Sequence, residues 1–336
     1  MSNNFPQRPI KSVVCLRFLT YICAQRVVTV TLRVLVADPI DEKSVEMLRE
    51  AGFTVDLKPD ITAAELENTI SGYGVLIVRS RTKVTARVIE KGVPGLKVVG
   101  RAGVGLDNVD VEAAAKHGVK VLNTPEAPTN SVAELVIGLM IAVARKIAWC
   151  DRVMRAGRWP KREAMGVELA GKTLGVVGFG RIGRRVAEIA HAVGMKILAY
   201  DIIPIPEEVL AKTGTRLTTL EEVLRSSDFI TLHVPLTPET HHLINAEKIA
   251  MMKPSAILVN ASRGEVVDEE ALYHALSTGR LAGAGLDVFE REPPFGSKLL
   301  ELDNVVVTPH VGAQTHEAQQ AAGMMLAQKI IETLKP

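Results

Sequence analysis

The chain has 336 residues, 47% of them apolar, and its 40 Lys plus Arg nearly balance 38 Asp plus Glu, for a formal net charge of +2. That length holds about two domains, and the apolar share supplies their cores. The even charge and an aromatic content of 4% exclude a nucleic-acid binder working through a basic surface or stacked bases, while three cysteines, Cys15, Cys23 and Cys150, with no CxxC spacing exclude a disulfide framework and a zinc site.

A reducing, cytoplasmic setting fits this cysteine usage. Near the start, "SVVCLRFLTYICA" (Ser12 to Ala24) is apolar and follows Arg8 and Lys11, as in a signal peptide. Arg17 interrupts the run, no small-x-small cleavage site follows, and the stretch is too short to span a membrane. Residues 1–30 are expected to be an N-terminal extension, open between a dispensable segment, an added edge strand or helix, and a targeting signal.

From Leu32 strands alternate with helices. "LRVLVAD" reads as a strand and "DEKSVEMLREAG" as a helix closed by Gly52. "FTVDLK" is the next strand, and "TAAELENTI" carries the Thr62/Glu65 spacing of a capping box. "GVLIVRS" starts as a buried strand, then runs into Arg79 and Arg81, two residues apart and so on one side of an extended chain. Such a pair needs an anion or water between its members; ordinary surface salt bridges are the plainer reading. A short helix to Gly92, "LKVVGRAG" with Arg101, a helix from about Asp110, and "VKVLNTP" complete the run. Its expected product is a parallel sheet covered by helices.

The turn-rich "NTPEAPTN" marks a hinge over Pro125–Asn130, after which Asn130 or Ser131 is expected to cap "SVAELVIGLMIAVARKIAWC". Apolar almost all round, this helix is expected to be buried on both sides, within one chain or against a second subunit. A second series follows: "KTLGVVGFGRIGRRVAEIA", "MKILAYD", "DFITLHVP", "SAILVNASRG", "RLAGAGLDVF" and "NVVVTPH". The last helix, "HEAQQAAGMMLAQKIIETL", has no strand after it and is expected to return to the first domain, making the second an insertion.

Within the second series, Gly178, Gly180 and Gly183 have GxGxxG spacing between a strand and a helix, and Asp201 ends the next strand 23 positions after Gly178. Such a turn lets the backbone approach a pyrophosphate at a helix N-terminus. The acid suits ribose hydroxyls and repels a 2′-phosphate; Ile202, Ile203 and Pro204 offer no arginine, so NAD is favoured over NADP. Arg263 follows a buried strand, where a two-pronged guanidinium grips a carboxylate. "LDVFEREPP" supplies Asp287, Glu290 and Glu292, and "VVTPHVGAQT" supplies His310. An imidazole gives and takes protons near neutral pH, and a carboxylate on its far nitrogen fixes the tautomer. A structural histidine remains the alternative. The other seven histidines lack a comparable setting, and most read as helix-surface or loop residues.

In order and spacing, "VGRAGVGLDNVD", "GKTLGVVGFGRIGR", "HVPLTPET", "LVNASRGEVVDEEAL", "GAGLDVFEREPP" and "TPHVGAQTHEA" resemble the D-isomer-specific 2-hydroxyacid dehydrogenase family, from about Leu32 to the C-terminus. "RSRTKVT", "GRAGVGLDNVD" and "HVGAQTHEAQ" are most similar to its phosphoglycerate dehydrogenase branch. The resemblance implies that Arg263 binds the substrate carboxylate, that His310 is the acid/base and that Glu292 pairs with it. It implies cofactor contacts from Asp287 at the nicotinamide carboxamide, from Arg181 and Ile182 along the pyrophosphate, and from Val234 and Pro235. Gly103 and Val104 would offer amides to the substrate carboxylate, and Arg79, Arg81 and Arg101 would form a three-cation cluster for a phosphate. "EAPTN" departs from the asparagine-rich wording of some relatives, which puts contacts of that loop in doubt. With the chain ending at Pro336, the serine-binding regulatory domain of some relatives is expected to be absent.

The expected fold is α/β, with two doubly wound parallel-sheet domains: a Rossmann NAD-binding domain (129–311) inserted into a smaller flavodoxin-like substrate domain (31–128 plus 312–336). The expected activity is cytoplasmic, NAD-dependent oxidation of a D-2-hydroxy acid, 3-phospho-D-glycerate to 3-phosphohydroxypyruvate in serine biosynthesis. The expected state is a homodimer through the 131–160 helical segment, with no metal, nucleic acid or membrane partner. The alternatives are glyoxylate/hydroxypyruvate reductase or D-lactate dehydrogenase chemistry, an NAD(H)-sensing corepressor-like binding protein, and a hydrolase that uses NAD internally.

Overall fold

The computed structural model describes Met1 and residues 32–334; the expectations for the N-terminal segment fall outside the described residues. Short, β-branched runs form the strands. β1 (Arg33–Val36), β2 (Thr54–Leu57), β3 (Val75–Val78), β4 (Val98–Arg101) and β5 (Lys120–Asn123) pair in the order β2-β1-β3-β4-β5. All four pairings are parallel, and every residue of β3 is buried, as a sheet covered on both faces requires. This order is the flavodoxin-like one, with its switch point between β1 and β3.

β6 (Thr173–Val177), β7 (Lys196–Tyr200), β8 (Arg216–Leu217), β9 (Phe229–Leu232), β10 (Ile257–Asn260), β11 (Gly283–Leu286) and β12 (Val305–Val307) form the second sheet, ordered β12-β11-β10-β9-β6-β7-β8. Here the chain reverses direction of growth between β6 and β9, the Rossmann switch point. The two-residue β8 has no counterpart in the sequence reading, because two exposed residues leave no alternation to detect.

Two local signals held. Thr62 and Glu65 make both bonds of the capping box, and Gly52 follows the helix Glu42–Glu50 with φ 94°. The long helix was different. It is two helices, Thr129–Ala144 and Ile147–Arg155, separated by Lys146 in the left-handed region. The Val167 N–H donates to Ala144 O at 3.0 Å, and the Lys146 ammonium reaches Glu163 O at 2.9 Å, so the returning segment satisfies the break. Neither Asn130 nor Ser131 caps the helix; their side chains serve Arg185 and Thr315 instead. Nor is the helix buried all round within this chain, since Glu134, Gly138, Ile141 and the C-cap Arg145 form an exposed stripe.

Helix Thr129–Ala144 packs on β10, β11 and helix Arg181–Ala192, whereas helix His316–Leu334 packs on helix Glu42–Glu50, β4 and β5. The chain therefore crosses between the sheets twice, and a Ser131–Thr315 hydroxyl pair at 2.7 Å ties the crossings together. No helix among the described residues is long and apolar enough to cross a membrane.

Candidate active site

At the second switch point the three glycines have three different reasons to be glycine. Gly178 has φ 91°, and a Cβ there would lie 2.7 Å from His233 O. At Gly183 a Cβ would collide with Gly178 O, so this residue lets the helix approach β6. Gly180 faces open space and caps helix Arg181–Ala192. A tight turn, a close helix and a bare backbone before a helix N-terminus are what a dinucleotide pyrophosphate requires. Asp201 stands beside the turn and accepts N–H bonds from Phe179 (2.6 Å) and Ile203 (2.8 Å). Val234 lies against Gly178, Pro235 is exposed next to it, and Ile182 packs partly buried below. Arg181 turns toward Glu126 at 3.2 Å. Burial pushes His233 down to about 3, so its ring, 3.0 Å from Thr231 Oγ1, is a neutral part of the floor.

Beyond β12 the chain turns sharply at His310, φ 53°. Its Nδ1 lies 2.8 Å and 3.0 Å from the two oxygens of Glu292. An ionised carboxylate only accepts, so Nδ1 carries the proton and Nε2 is left as the free acceptor. The turn hangs on Asp287, which is 1% exposed. Its carboxylate accepts from Thr308 Oγ1, Val311 N–H and Gly312 N–H, and its carbonyl accepts the His310 N–H at 2.8 Å. Asp287 thus spends most of its acceptor capacity on the protein. Of the neighbouring acids, Glu290 faces His242 at 3.0 Å instead.

Arg263 leaves the end of β10 through an asparagine turn: Asn260 Nδ2 donates to Arg263 O, and Asn260 Oδ1 accepts from Ser262. Gly264 behind it has no room for a Cβ against Phe289. The Arg263 guanidinium reaches the loop after β4, where Asp107 Oδ2 accepts from Nε (3.1 Å) and Nη2 (2.8 Å). Arg101 ends β4 half-buried. Burial pushes its guanidinium down, and the charges of Arg263 and Arg79 push it further; its Nε is buried without a hydrogen-bond partner. Arg79 is likewise pushed down by burial and donates to Gln314 at 3.2 Å.

Residues 137–312 match the family model described as D-isomer specific 2-hydroxyacid dehydrogenase, NAD binding domain. The chain is 50% identical over 305 residues to a D-3-phosphoglycerate dehydrogenase of Methanocaldococcus jannaschii, covering 90% of this chain and 58% of that one. It is 48% identical to a hydroxypyruvate reductase of Thermotoga maritima, covering 90% of this chain and 98% of the relative. The chain belongs to the D-isomer-specific 2-hydroxyacid dehydrogenases. Among solved structures, the TT0316 protein of Thermus thermophilus superposes with a TM-score of 0.83 at 38% identity, over 90% of this chain and 97% of that one. The chain spans little more than half the length of the phosphoglycerate dehydrogenase it matches.

In this chain, two expected substrate contacts need correction. Arg81 does not join a cleft-facing cluster. Its Nε donates to Asp38 at 2.9 Å and its Nη2 to Ala37 O and Pro59 O, because Asp38, buried at the switch point, needs a counter-charge. Gly103 does not offer its amide either, since that N–H donates to Thr124 Oγ1 at 2.9 Å. Among the described residues the Val104 and Gly105 amides make no such bond. Gly105, Asp107 and Gln314 all lie inside the motifs quoted above, but no spacing rule links Asp107 and Gln314 to partners 156 and 235 positions away.

Proposed function

We propose that the chain oxidises a D-2-hydroxy acid to the 2-keto acid, with 3-phospho-D-glycerate as its preferred substrate. The observation that carries the proposal is His310 Nδ1 held by both oxygens of Glu292, on the same sheet as Arg263. His310 Nε2 takes the hydroxyl proton, and the Glu292 carboxylate offsets the charge then gained by the ring. Arg263, with the Val104 and Gly105 amides, holds the substrate carboxylate and favours the developing carbonyl. NAD bound along the glycine turn would supply the acceptor for the hydride leaving C2. Arg181 and Ile182 would lie along its pyrophosphate, Asp201 would hold its ribose, and Val234, Pro235 and Asp287 would hold the nicotinamide end. Residues 31–128 with 312–336 act as the substrate-binding unit and 129–311 as the cofactor unit.

Arg101 and Arg79 support the phosphorylated substrate, because Arg101 is half-buried between the charges of Arg263 and Arg79 with its Nε unpartnered, a setting that suits a second anion. A competing reading, hydroxypyruvate reduction, draws support from the relative that the chain spans almost end to end. A panel of 2-hydroxy acids with NAD, followed by NADH absorbance, separates the two. Turnover of 3-phosphoglycerate well above D-glycerate and D-lactate is expected. Failure of every acid to yield NADH, or near-normal turnover in His310→Ala, would overturn the mechanism.

We also propose a homodimer through the 131–160 segment. Ile147 and Met154 are each 50% exposed and Trp159 is 76% exposed, a row of large apolar side chains that a partner's copy would cover. Light scattering should give twice the chain mass, falling to the single mass in Trp159→Asp.

A further inference from the structure

The geometry points to Asp107 as the positioning residue that aims Arg263 at the substrate carboxylate, an inference that rests on the carboxylate role proposed for Arg263. A guanidinium has five N–H groups. Asp107 Oδ2 takes one from Nε and one from Nη2, and Ser262 O takes one from Nη1 at 2.7 Å. What remains is one N–H on each terminal nitrogen, the pair suited to two-pronged contact with a carboxylate. Asp107 occupies one edge of the fork and thereby leaves the other edge presented.

Asp107 is not a side chain free to swing into the substrate's place. The next residue, Asn108, donates from Nδ2 to Arg79 O and Thr82 O, both at 2.6 Å. Its own carbonyl accepts the Val84 N–H at 2.8 Å, within a Val84–Val109 bridge. Beneath the pair lies Gly105, where a Cβ would collide with both Arg263 Nη2 and Asp107 Oδ2. The backbone is pressed against the ion pair and seats it.

Stability is a poor explanation for the contact, because the Asp107 side chain is 59% exposed and such pairs add little. Electrostatics give a better one. Burial works to raise Asp107, yet the Arg263 hydrogen bond and charge hold it below the usual carboxylate range, so the counter-charge is permanent. Without it, Arg263 would stand beside Arg101 with only the weaker pull of Asp38 on Arg101 to offset their repulsion. The pair also joins the two sheets: Arg263 follows β10, while Asp107 follows β4. Arg263 is therefore aimed only when the β4 loop is in place.

The test uses the full chain and hydroxypyruvate reduction by NADH. Asp107→Asn keeps the shape and removes the charge; Asp107→Ser repeats the comparison with a smaller side chain. Misaiming the fork should lower kcat/KM about 100-fold, while NADH affinity, read by fluorescence titration, and Tm stay at parent values. In an Arg263→Lys background, which lacks the fork, the same substitution should cost no more than about twofold. Parent-like activity in Asp107→Asn, or an equal loss in both backgrounds, would overturn the inference and leave the Arg263 reading standing. Parent-like activity in Arg263→Lys alone would overturn both.

Discussion

Replacing Arg81 by Met separates a structural arginine from a substrate-binding one. In the folded chain the substitution removes the Nε bond to Asp38 at 2.9 Å and the Nη2 bonds to Ala37 O and Pro59 O. Asp38 keeps three of its four bonds, those from Arg79 N–H, Thr82 N–H and Thr82 Oγ1. Breaking a fully buried ion pair costs about 3–5 kcal/mol, but the Arg81 side chain is 52% exposed, so water recovers part of the loss. A net cost of about 2 kcal/mol follows, a fall of about 4–8 °C in Tm. Arg101→Met should do the reverse: Tm holds, and KM for 3-phosphoglycerate rises about 10–100-fold through loss of charge-assisted bonds. Scanning fluorimetry and initial rates on both variants give the two readouts. An Arg81→Met enzyme with unchanged Tm and a raised KM confined to the phosphorylated acid would refute the reasoning, and return Arg81 to the substrate.

Glu292→Gln keeps the hydrogen-bonding shape beside His310 but not the charge, so kcat should fall about 100-fold with NADH affinity unchanged in a fluorescence titration. Gly180→Ala and Gly183→Ala should part company: the first meets open space and should weaken only NADH binding, whereas the second forces the helix from β6 and should lower Tm as well. Folded His233 titrates at about 3 against about 6.5 when unfolded, so the unfolded chain binds the extra proton between these values. Its stability contribution is whole above pH 6.5 and is lost as pH falls. Unfolding free energy from urea titrations should drop by about 1.4 kcal/mol per pH unit between pH 6 and 4.5, and His233→Gln should flatten that slope.

Much of the fold could be read from the chain because its signals are local. Buried runs such as "VLIV" and "ILVN", the Thr62/Glu65 box and the GxGxxG turn each act over a few residues. The place of Arg263 could be read because it follows the carboxyl end of a strand, where open α/β sheets place their ligands; the His310–Glu292 contact was legible through the family resemblance of the segments around it. What escaped depended on distance or on backbone conformation. Lys146 breaks a helix with neither Gly nor Pro to announce it, because the bond closing the break comes from Val167. Asp38 claims Arg81 from 43 positions away, so the same alternation that put Arg79 and Arg81 on one side also suggested a shared anion. Thr124 claims the Gly103 amide in the same way.

Asp287 has a further consequence. Its carboxylate holds Val311 and Gly312, and its carbonyl holds His310, so His310 is mounted one step from the returning crossover. His310 and Glu292 both follow strands of the second sheet, so their contact is made within one unit. Arg263 and Asp107 follow strands of different sheets, so their contact exists only while the two sheets are held against each other.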